Sequence, residues 1–377
     1  MTERVSETAS QRVSGKALRV LIAGGGTGGH VIPALAIARE LRDAHNAEVR
    51  FVGTARGLET RLVPEAGFVL DLVRSGQWKS VSLATRLRTA IDLPLGVVEC
   101  LRLLREFRPH VVVGVGGYAS GPAMLAALLS RRPTLAFEPN AVPGLANRLV
   151  GRWVSAAAVN FAQTQSYFRN ARVTGIPVRA EFFAIEPKSS AAPLRLLVIG
   201  GSQGARVLNV AMPKIAPRLL DQFANLEIVH QAGARQAEST AESYARAGLT
   251  GQQRVRVQPY LDQMPQEFAA ADLLLCRSGA STMAELAAAG RASLLVPFAL
   301  AADDHQRRNA EVFLQAGAAR MLTEAGLADP ERLLNELSRL LADPEELRAM
   351  GERARTLAKP DAARQIASMI EKLARRS

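Results

Sequence analysis

Leu18-Arg-Val-Leu-Ile-Ala23, then Gly24-Gly25-Gly26-Thr27-Gly28-Gly29-His30, then Val31-Ile-Pro-Ala-Leu-Ala-Ile-Ala-Arg-Glu-Leu41 follow one another without interruption. A strand-length apolar run, a glycine-rich loop and a run with helical apolar spacing make a strand–loop–helix junction. Such a junction brings backbone N–H groups and the positive end of a helix dipole to one point, where a phosphate or another anion fits. Side chains in the loop would hold the ligand off the backbone and forbid positive φ. Gly24, Gly26 and Gly29 satisfy G-x-G-x-x-G, which alone is a weak signal. A dinucleotide site also wants an acid at the end of the next strand. The next run, Val49-Arg-Phe-Val-Gly-Thr54, ends without one. The loop therefore reads as an anion or sugar-diphosphate loop, against the plainer reading of a turn that packs helix on strand.

Outward from this junction the chain alternates. Strands are expected at Leu18–Ala23, Val49–Gly53, Phe68–Val73, Val111–Val115, Thr134–Phe137 and Ala156–Asn160, with helical patterns between. Continuous apolar strands suit a parallel sheet covered on both faces. A second glycine loop, Val115-Gly116-Gly117-Tyr118-Ala119-Ser120-Gly121-Pro122, again follows an apolar strand. Loops at strand carboxyl ends of one sheet point into a shared crevice. Phe137-Glu138-Pro139-Asn140 ends another strand, and Asn140 either orients a hydroxyl or forms a turn.

The connector Glu186-Pro-Lys-Ser-Ser-Ala-Ala-Pro193 precedes a fresh start at Leu194-Arg-Leu-Leu-Val-Ile199 and Gly200-Gly-Ser-Gln-Gly204. Strands are then expected at Glu227–Gln231, Val255–Gln258, Leu273–Cys276 and Ser293–Pro297. Arg277-Ser-Gly-Ala-Ser-Thr-Met-Ala-Glu285 follows one of them, and Glu285 either caps a helix start or accepts the hydroxyls of a ribose. The domain boundaries expected are a disordered tail at 1–16, one Rossmann-like domain at 17–178, a second at 179–360, and a helix at 361–377 that returns to the first. The glycine loops of the two domains are expected to face a cleft that takes a nucleotide diphosphate compound.

The chain has 377 residues and a net charge of +12, and aromatic residues make up 5%. That basicity admits nucleic acid, an anionic membrane or phosphorylated ligands. No nucleic-acid motif or aromatic-rich basic ribbon is visible, so nucleic acid is not an expected partner, and charge alone does not decide between the other two and a merely solvated basic surface. Cys100 and Cys276 lie far apart, and the five histidines show no metal-ligand spacing, so neither a disulfide framework nor a metal site is expected. Residues 78–108 mix leucines with Lys79, Arg86, Arg88, Arg102, Arg105 and Arg108, and Pro94-Leu-Gly96 is expected to break the stretch into two helices. It reads equally as a core helix with a basic outer face or as a helix lying on an anionic bilayer.

The motifs recur as an ordered set: Gly25-Gly-Thr-Gly-Gly-His30, Gly116-Gly-Tyr-Ala-Ser-Gly-Pro122, Thr174-Gly-Ile-Pro-Val-Arg179, Gly200-Gly-Ser-Gln-Gly-Ala205, Ser278-Gly-Ala-Ser-Thr282 with Glu285, and His305-Gln306 with Asn309-Ala310. From Leu18 to the C-terminus this set resembles the MurG family of bacterial peptidoglycan glycosyltransferases. The resemblance implies a GT-B fold of two Rossmann-like α/β domains. It also implies inverting, metal-independent transfer of N-acetylglucosamine from UDP-N-acetylglucosamine to lipid I, giving lipid II, with no cofactor. Carried over residue by residue, the donor would meet Thr27, Gly28, Gly29, Asn140, Arg179, Ser202, Leu261, Ala280, Ser281, Thr282, Met283, Ala284, Glu285, Gln306 and Asn309. Glu285 would take the ribose, Gln306 and Asn309 the transferred sugar, and Ser202 with the helix after Ser278 the diphosphate. Gly117, Tyr118 and Ser120 would meet the acceptor. His30 would be the base, or else a histidine that orients the loop; a helix N-terminus disfavours an imidazolium and leaves a ring able to accept a proton. The resemblance further implies a peripheral protein on the cytoplasmic face of the bacterial inner membrane, with segment 78–108 as docking face and other cell-wall enzymes as partners. Pro139, where a glutamine is expected, and Ile176, at an often polar position, depart from the pattern.

Three rivals follow from the same features. The Tyr118 loop and the Gln306 region, which match the peptidoglycan enzymes in place, argue against another GT-B enzyme such as a glycolipid synthase or a UDP-sugar epimerase. The missing acid after Val49–Gly53 and the second glycine-loop domain argue against an NAD-dependent oxidoreductase. An intact His30 and a complete acceptor loop weigh against a non-catalytic UDP-sugar-binding protein.

Overall fold

The computed structural model describes residues 17–55, 57–75, 83–188, 193–201, 203–249 and 253–376, without the side chains of 83–91. The tail expected at 1–16, Lys79, Ser202 and the side chains of Arg86 and Arg88 lie outside the described residues. The chain divides into two units. One runs to Glu138 and adds Pro143–Thr174 and Asp361 onward; the other holds Pro139–Val142 and Gly175–Pro360.

In the first unit β1 (Arg19–Ala23), α1 (Gly28–His45), β2 (Glu48–Gly53), α2 (Glu59–Glu65), β3 (Val69–Leu72), α3 (Leu83–Phe107), β4 (Val111–Gly114), α4 (Ser120–Leu129), β5 (Thr134–Glu138), α5 (Leu145–Val150), β6 (Ala156–Val159) and β7 (Ala171–Val173) follow in order. The strands form one parallel sheet, β3-β2-β1-β4-β5-β6-β7. Val111, Val112 and Val113 are wholly buried, as a strand covered on both faces requires. The order reverses between β1 and β4, where Ala23 pairs with Gly114. The two glycine loops leave from these neighbouring strand ends, which is the topological switch point where open α/β sheets bind ligands.

The break expected at Pro94-Leu-Gly96 does not occur, and α3 runs through it. A proline inside a helix costs about 3 kcal/mol. Val97, Cys100, Leu103, Leu104 and Phe107 all bury into a cluster with Ala123, Met124 and Ala127 of α4. At ~1.5–3 kcal/mol for each large apolar side chain, that burial outweighs the kink. Gly96 lets the helix lie against the chain at residue 74, since a Cβ there would stand 2.1 Å from the Arg74 carbonyl oxygen.

The second unit holds α6 (Ala180–Phe183), β8 (Leu194–Ile199), α7 (Arg206–Gln222), β9 (Leu226–Gln231), α8 (Ala237–Tyr244), β10 (Val255–Gln258), α9 (Met264–Ala270), β11 (Leu273–Cys276), α10 (Ala280–Ala289), β12 (Ala292–Leu295), α11 (His305–Gln315), β13 (Ala319–Met321), α12 (Pro330–Leu341) and α13 (Pro344–Thr356). Its parallel sheet runs β10-β9-β8-β11-β12-β13, with the switch between β8 and β11. One face packs Leu208, Met212 and Leu219 of α7 with Leu333, Leu337 and Leu340 of α12; the other packs Met283 and Leu286 of α10 with Phe313 of α11. The last helix, α14 (Ala362–Ala374), belongs to the first unit and lies on α1, with His45 Nδ1 3.6 Å from the Glu371 carboxylate.

Candidate active-site residues

In the first unit the two glycine loops touch backbone to backbone. A Cβ on Gly117 (φ +81°) would lie 2.2 Å from the Gly25 carbonyl oxygen, so only glycine admits this approach. The His30 imidazole covers Gly116, where a Cβ would lie 2.9 Å from His30 Cδ2. His30 Nδ1 is 3.3 Å from the Thr27 hydroxyl, and Thr27 sits at the N-cap of α1. Thr27, Gly29 and Tyr118 are exposed and Gly28 and Gly117 half-buried; the Tyr118 carbonyl accepts a hydrogen bond from Ser75 Oγ at 2.6 Å. Ser120 is placed differently from the expectation. It is fully buried beneath Gly114, so its hydroxyl does not reach the loop surface.

Under the first loop lies a carboxylate the sequence reading overlooked. Glu59 is 1% exposed. One oxygen accepts from Gly26 N at 2.7 Å, and the other accepts from Thr54 N and Thr54 Oγ1, both at 3.0 Å. Gly25, Gly53 and Gly57 close around it, and a Cβ on any of them would overlap its side chain. Glu59→Ala would leave these donors unpaired. It is expected to destabilise the first unit by about 3 kcal/mol, on the order of 10 °C in its melting transition by calorimetry.

In the second unit α10 starts behind Gly279, which has extended N-cap geometry. Ala280 and Met283 face the core, so Met283 offers no side chain to a ligand. Ser281, Thr282, Ala284 and Glu285 stay partly open, and the Ser281 hydroxyl oxygen is buried with no partner among the described residues. Glu285 is packed deeply enough that burial pushes its carboxyl up to about 7, against the opposing pull of the Arg179 guanidinium. Arg179 is exposed and stacks over the Phe182 ring at 5.2 Å. Gln306, at the start of α11, accepts from Phe298 N through Oε1 at 3.0 Å.

Asn309 does not stand in the rim. It is fully buried; Oδ1 accepts from Ala141 N at 2.9 Å, and Nδ2 donates to Ser278 O at 3.1 Å and Asn140 Oδ1 at 3.3 Å. Its carboxamide therefore fixes loop 139–142 to the end of β11, and no edge of it faces a sugar. Leu261 is buried at the end of its loop, and its N–H donates to Gln231 Oε1 at 3.2 Å.

Beside Gln231 lies a buried relay. His230 Nδ1 is 3.0 Å from Tyr244 Oη and Nε2 3.0 Å from Asn209 Oδ1, while Asn209 Nδ2 donates to Ala232 O at 2.9 Å. Since Oδ1 can only accept, Nε2 carries the proton and Tyr244 O–H donates to Nδ1. Burial holds the His230 imidazolium down to about 3. The unfolded chain binds a proton near the ordinary histidine pKa of about 6.5 and the folded chain does not. Stability is therefore lost as pH falls below about 6.5, by about 1.4 kcal/mol at pH 5.5. Urea unfolding at pH 7.5 and 5.5 checks this, and His230→Asn is expected to flatten the dependence.

Residues 20–159 match the Glycosyltransferase family 28 N-terminal domain and residues 195–366 the Glycosyltransferase family 28 C-terminal domain. A UDP-N-acetylglucosamine--N-acetylmuramyl-(pentapeptide) pyrophosphoryl-undecaprenol N-acetylglucosamine transferase from Solibacter usitatus is 44% identical over 370 residues, covering 98% of this chain and 99% of its own. The chain belongs to the MurG family. A MurG-family relative of the same description from Myxococcus xanthus is 40% identical, over 93% of this chain and 92% of its own. The crystal structure of Acinetobacter baumannii MurG superimposes with a TM-score of 0.78 at 30% identity, covering 94% of this chain and 99% of that one. The MurG-family fold is GT-B, and the two parallel sheets described above are its Rossmann-like domains.

Proposed function

We propose that the protein transfers N-acetylglucosamine from UDP-N-acetylglucosamine to the 4-hydroxyl of N-acetylmuramoyl-pentapeptide in undecaprenyl-diphosphate-linked lipid I, forming lipid II. Identity of 44% over 98% of the chain to a transferase of that description carries the reading. The second unit holds UDP: Glu285 takes the ribose hydroxyls, Leu261 the base, and Gly201, Ser202, Arg179 and the α10 N-terminus the diphosphate. Gln306 and Asn140 contact the transferred sugar, as do Thr27, Gly28 and Gly29, and Asn309 acts through the loop it fixes. Gly117 and Tyr118 meet the acceptor.

The reaction is one displacement. The acceptor oxygen bonds to C1 of the sugar as the C1–O bond to UDP breaks, which inverts the configuration. The hydroxyl proton passes to His30. With Nδ1–H turned to Thr27 Oγ1, Nε2 receives it. Arg179 and the helix dipole stabilise the charge that grows on UDP, the work a bound cation does in other transferases. Incubation with UDP-[14C]N-acetylglucosamine and a short-chain lipid I analogue tests this reading. A labelled disaccharide whose new bond is β by proton NMR is the expected product; free N-acetylglucosamine or an α bond would refute it.

The acceptor's lipid tail places the reaction at a bilayer, and we propose peripheral docking there through the first unit. Among the described residues no helix is long and apolar enough to cross a membrane. Leu125, Leu129, Leu149 and Trp153 are exposed, as are Arg102, Arg105, Arg131, Arg148 and Arg152. Exposed apolar side chains accompanied by exposed arginines suit an anionic leaflet. Replacing Lys79, Arg86 and Arg88 by Glu is expected to weaken binding to phosphatidylglycerol vesicles about a hundredfold in sedimentation. Unchanged binding would remove segment 78–108 from the docking face.

A further inference from the structure

Gln231 ends β9 and is 1% exposed. A primary amide buried this completely needs partners for both its donor and its acceptor. The two partners lie on different loops. Nε2 donates to the Gly201 carbonyl at 3.0 Å, in the loop after β8; Oε1 accepts from Leu261 N at 3.2 Å, in the loop after β10. One side chain thus ties together the ends of three neighbouring strands.

The side chain is itself held. Gln231 pairs with Gln258 of β10, and Ala232 N continues the ladder onto the Gln258 carbonyl at 2.9 Å. The next residues press on the loop after β8: a Cβ on Gly204 would lie 1.9 Å from the Ala232 carbonyl oxygen, and one on Gly233 2.4 Å from that of Gln203. Asn209, anchored through His230 and Tyr244, donates to Ala232 from below. β8 and β10 flank β9, so their ends stand about 10 Å apart, a separation that a nucleoside diphosphate can bridge from its base to its phosphates.

We propose that Gln231 is a positioning residue that couples the two halves of UDP recognition, fixing the Gly201 loop for the diphosphate and Leu261 for the base in one geometry. The inference rests on the donor site assigned under Proposed function. Its consequence is cooperative: a ligand that engages both loops meets them already in register and loses less freedom on binding. Removing the strut weakens UDP more than uridine, because uridine needs one loop and UDP needs both.

The test is calorimetric titration of the full chain with uridine and with UDP. Gln231→Met keeps the length and neutrality of the side chain and loses both hydrogen bonds. The ratio of the uridine Kd to the UDP Kd is expected to fall about tenfold, the effect of a buried hydrogen-bond link. A ratio equal to wild type, whether both affinities drop together or neither does, overturns the proposal. Gln231→Glu keeps an acceptor for Leu261 N and loses the donor to Gly201. Its uridine Kd is expected within about twofold of wild type and its UDP Kd about tenfold weaker; equal loss of both again overturns the coupling. A wild-type protein that binds neither ligand refutes the donor site itself.

Discussion

Glu285→Ala is expected to weaken UDP binding about a hundredfold to a thousandfold. Two charge-assisted hydrogen bonds from ribose hydroxyls to one carboxylate are worth about 3–4 kcal/mol together. The variant leaves the α10 start in place, because Gly279 supplies the N-cap and Ala280, Met283 and Leu286 bury the helix. The burial that pushes the Glu285 carboxyl up to about 7 also sets a pH dependence. A ribose that needs the carboxylate competes with the proton below that value. Uridine, which carries no phosphate to titrate, is therefore expected to bind about tenfold more tightly at pH 8 than at pH 6. Glu285→Gln is expected to bind weakly and with no such dependence. The same shift acts on stability. The folded carboxyl keeps its proton to higher pH than the unfolded one, so stability is lost as pH rises from about 4.5 to about 7. Glu285→Gln is accordingly more stable than wild type at pH 8 without ligand, and thermal melts of the pair check the sign.

The second large effect is on the chemical step. His30→Ala is expected to lower kcat about a thousandfold while the UDP Kd stays within about twofold, since general base catalysis contributes 10²–10⁴-fold. His30→Gln keeps a hydrogen-bonding group beside Thr27 and restores little, because an amide does not take a proton. Gly116→Ala reaches the same residue from the other loop. Its Cβ would stand 2.9 Å from the imidazole, at a φ of +89° that disfavours any side chain. Loss of kcat in Gly116→Ala without loss of UDP affinity would place the effect on the ring's position.

Periodicity and glycine punctuation located the elements that carry the site. The strands that end in ligand loops are mostly apolar, β1, β4 and β8 run into glycine loops, and their observed limits lie within a residue or two of those read from the chain. The edge strands β7 and β13 were not foreseen, since each has only three residues and an arginine at its centre. The continuity of α3 through Pro94 was not foreseen either, because packing against α4 decides it and that contact is tertiary. The same limit applies to single residues. A motif says that Ser120 and Asn309 sit beside ligand loops but not which way they face, and both turn inward. Gln231 acts through Gly201 and Leu261, each thirty residues away, and Glu59 joins Thr54 beside it to Gly26 thirty-three residues away, so no local spacing marks their roles. The available signal was a polar side chain at the end of an apolar strand, as at Gln231, and an acid just after Gly53 and Gly57, as at Glu59.

The measurement that bears most directly on transfer by this chain's own residues is UDP release from UDP-N-acetylglucosamine, with and without a soluble lipid I analogue, in excess EDTA. Release is expected to require the acceptor, to persist in EDTA and to fall about a thousandfold in His30→Ala. Donor binding with no release under any acceptor condition, or release restored only by an added divalent cation, would contradict that expectation.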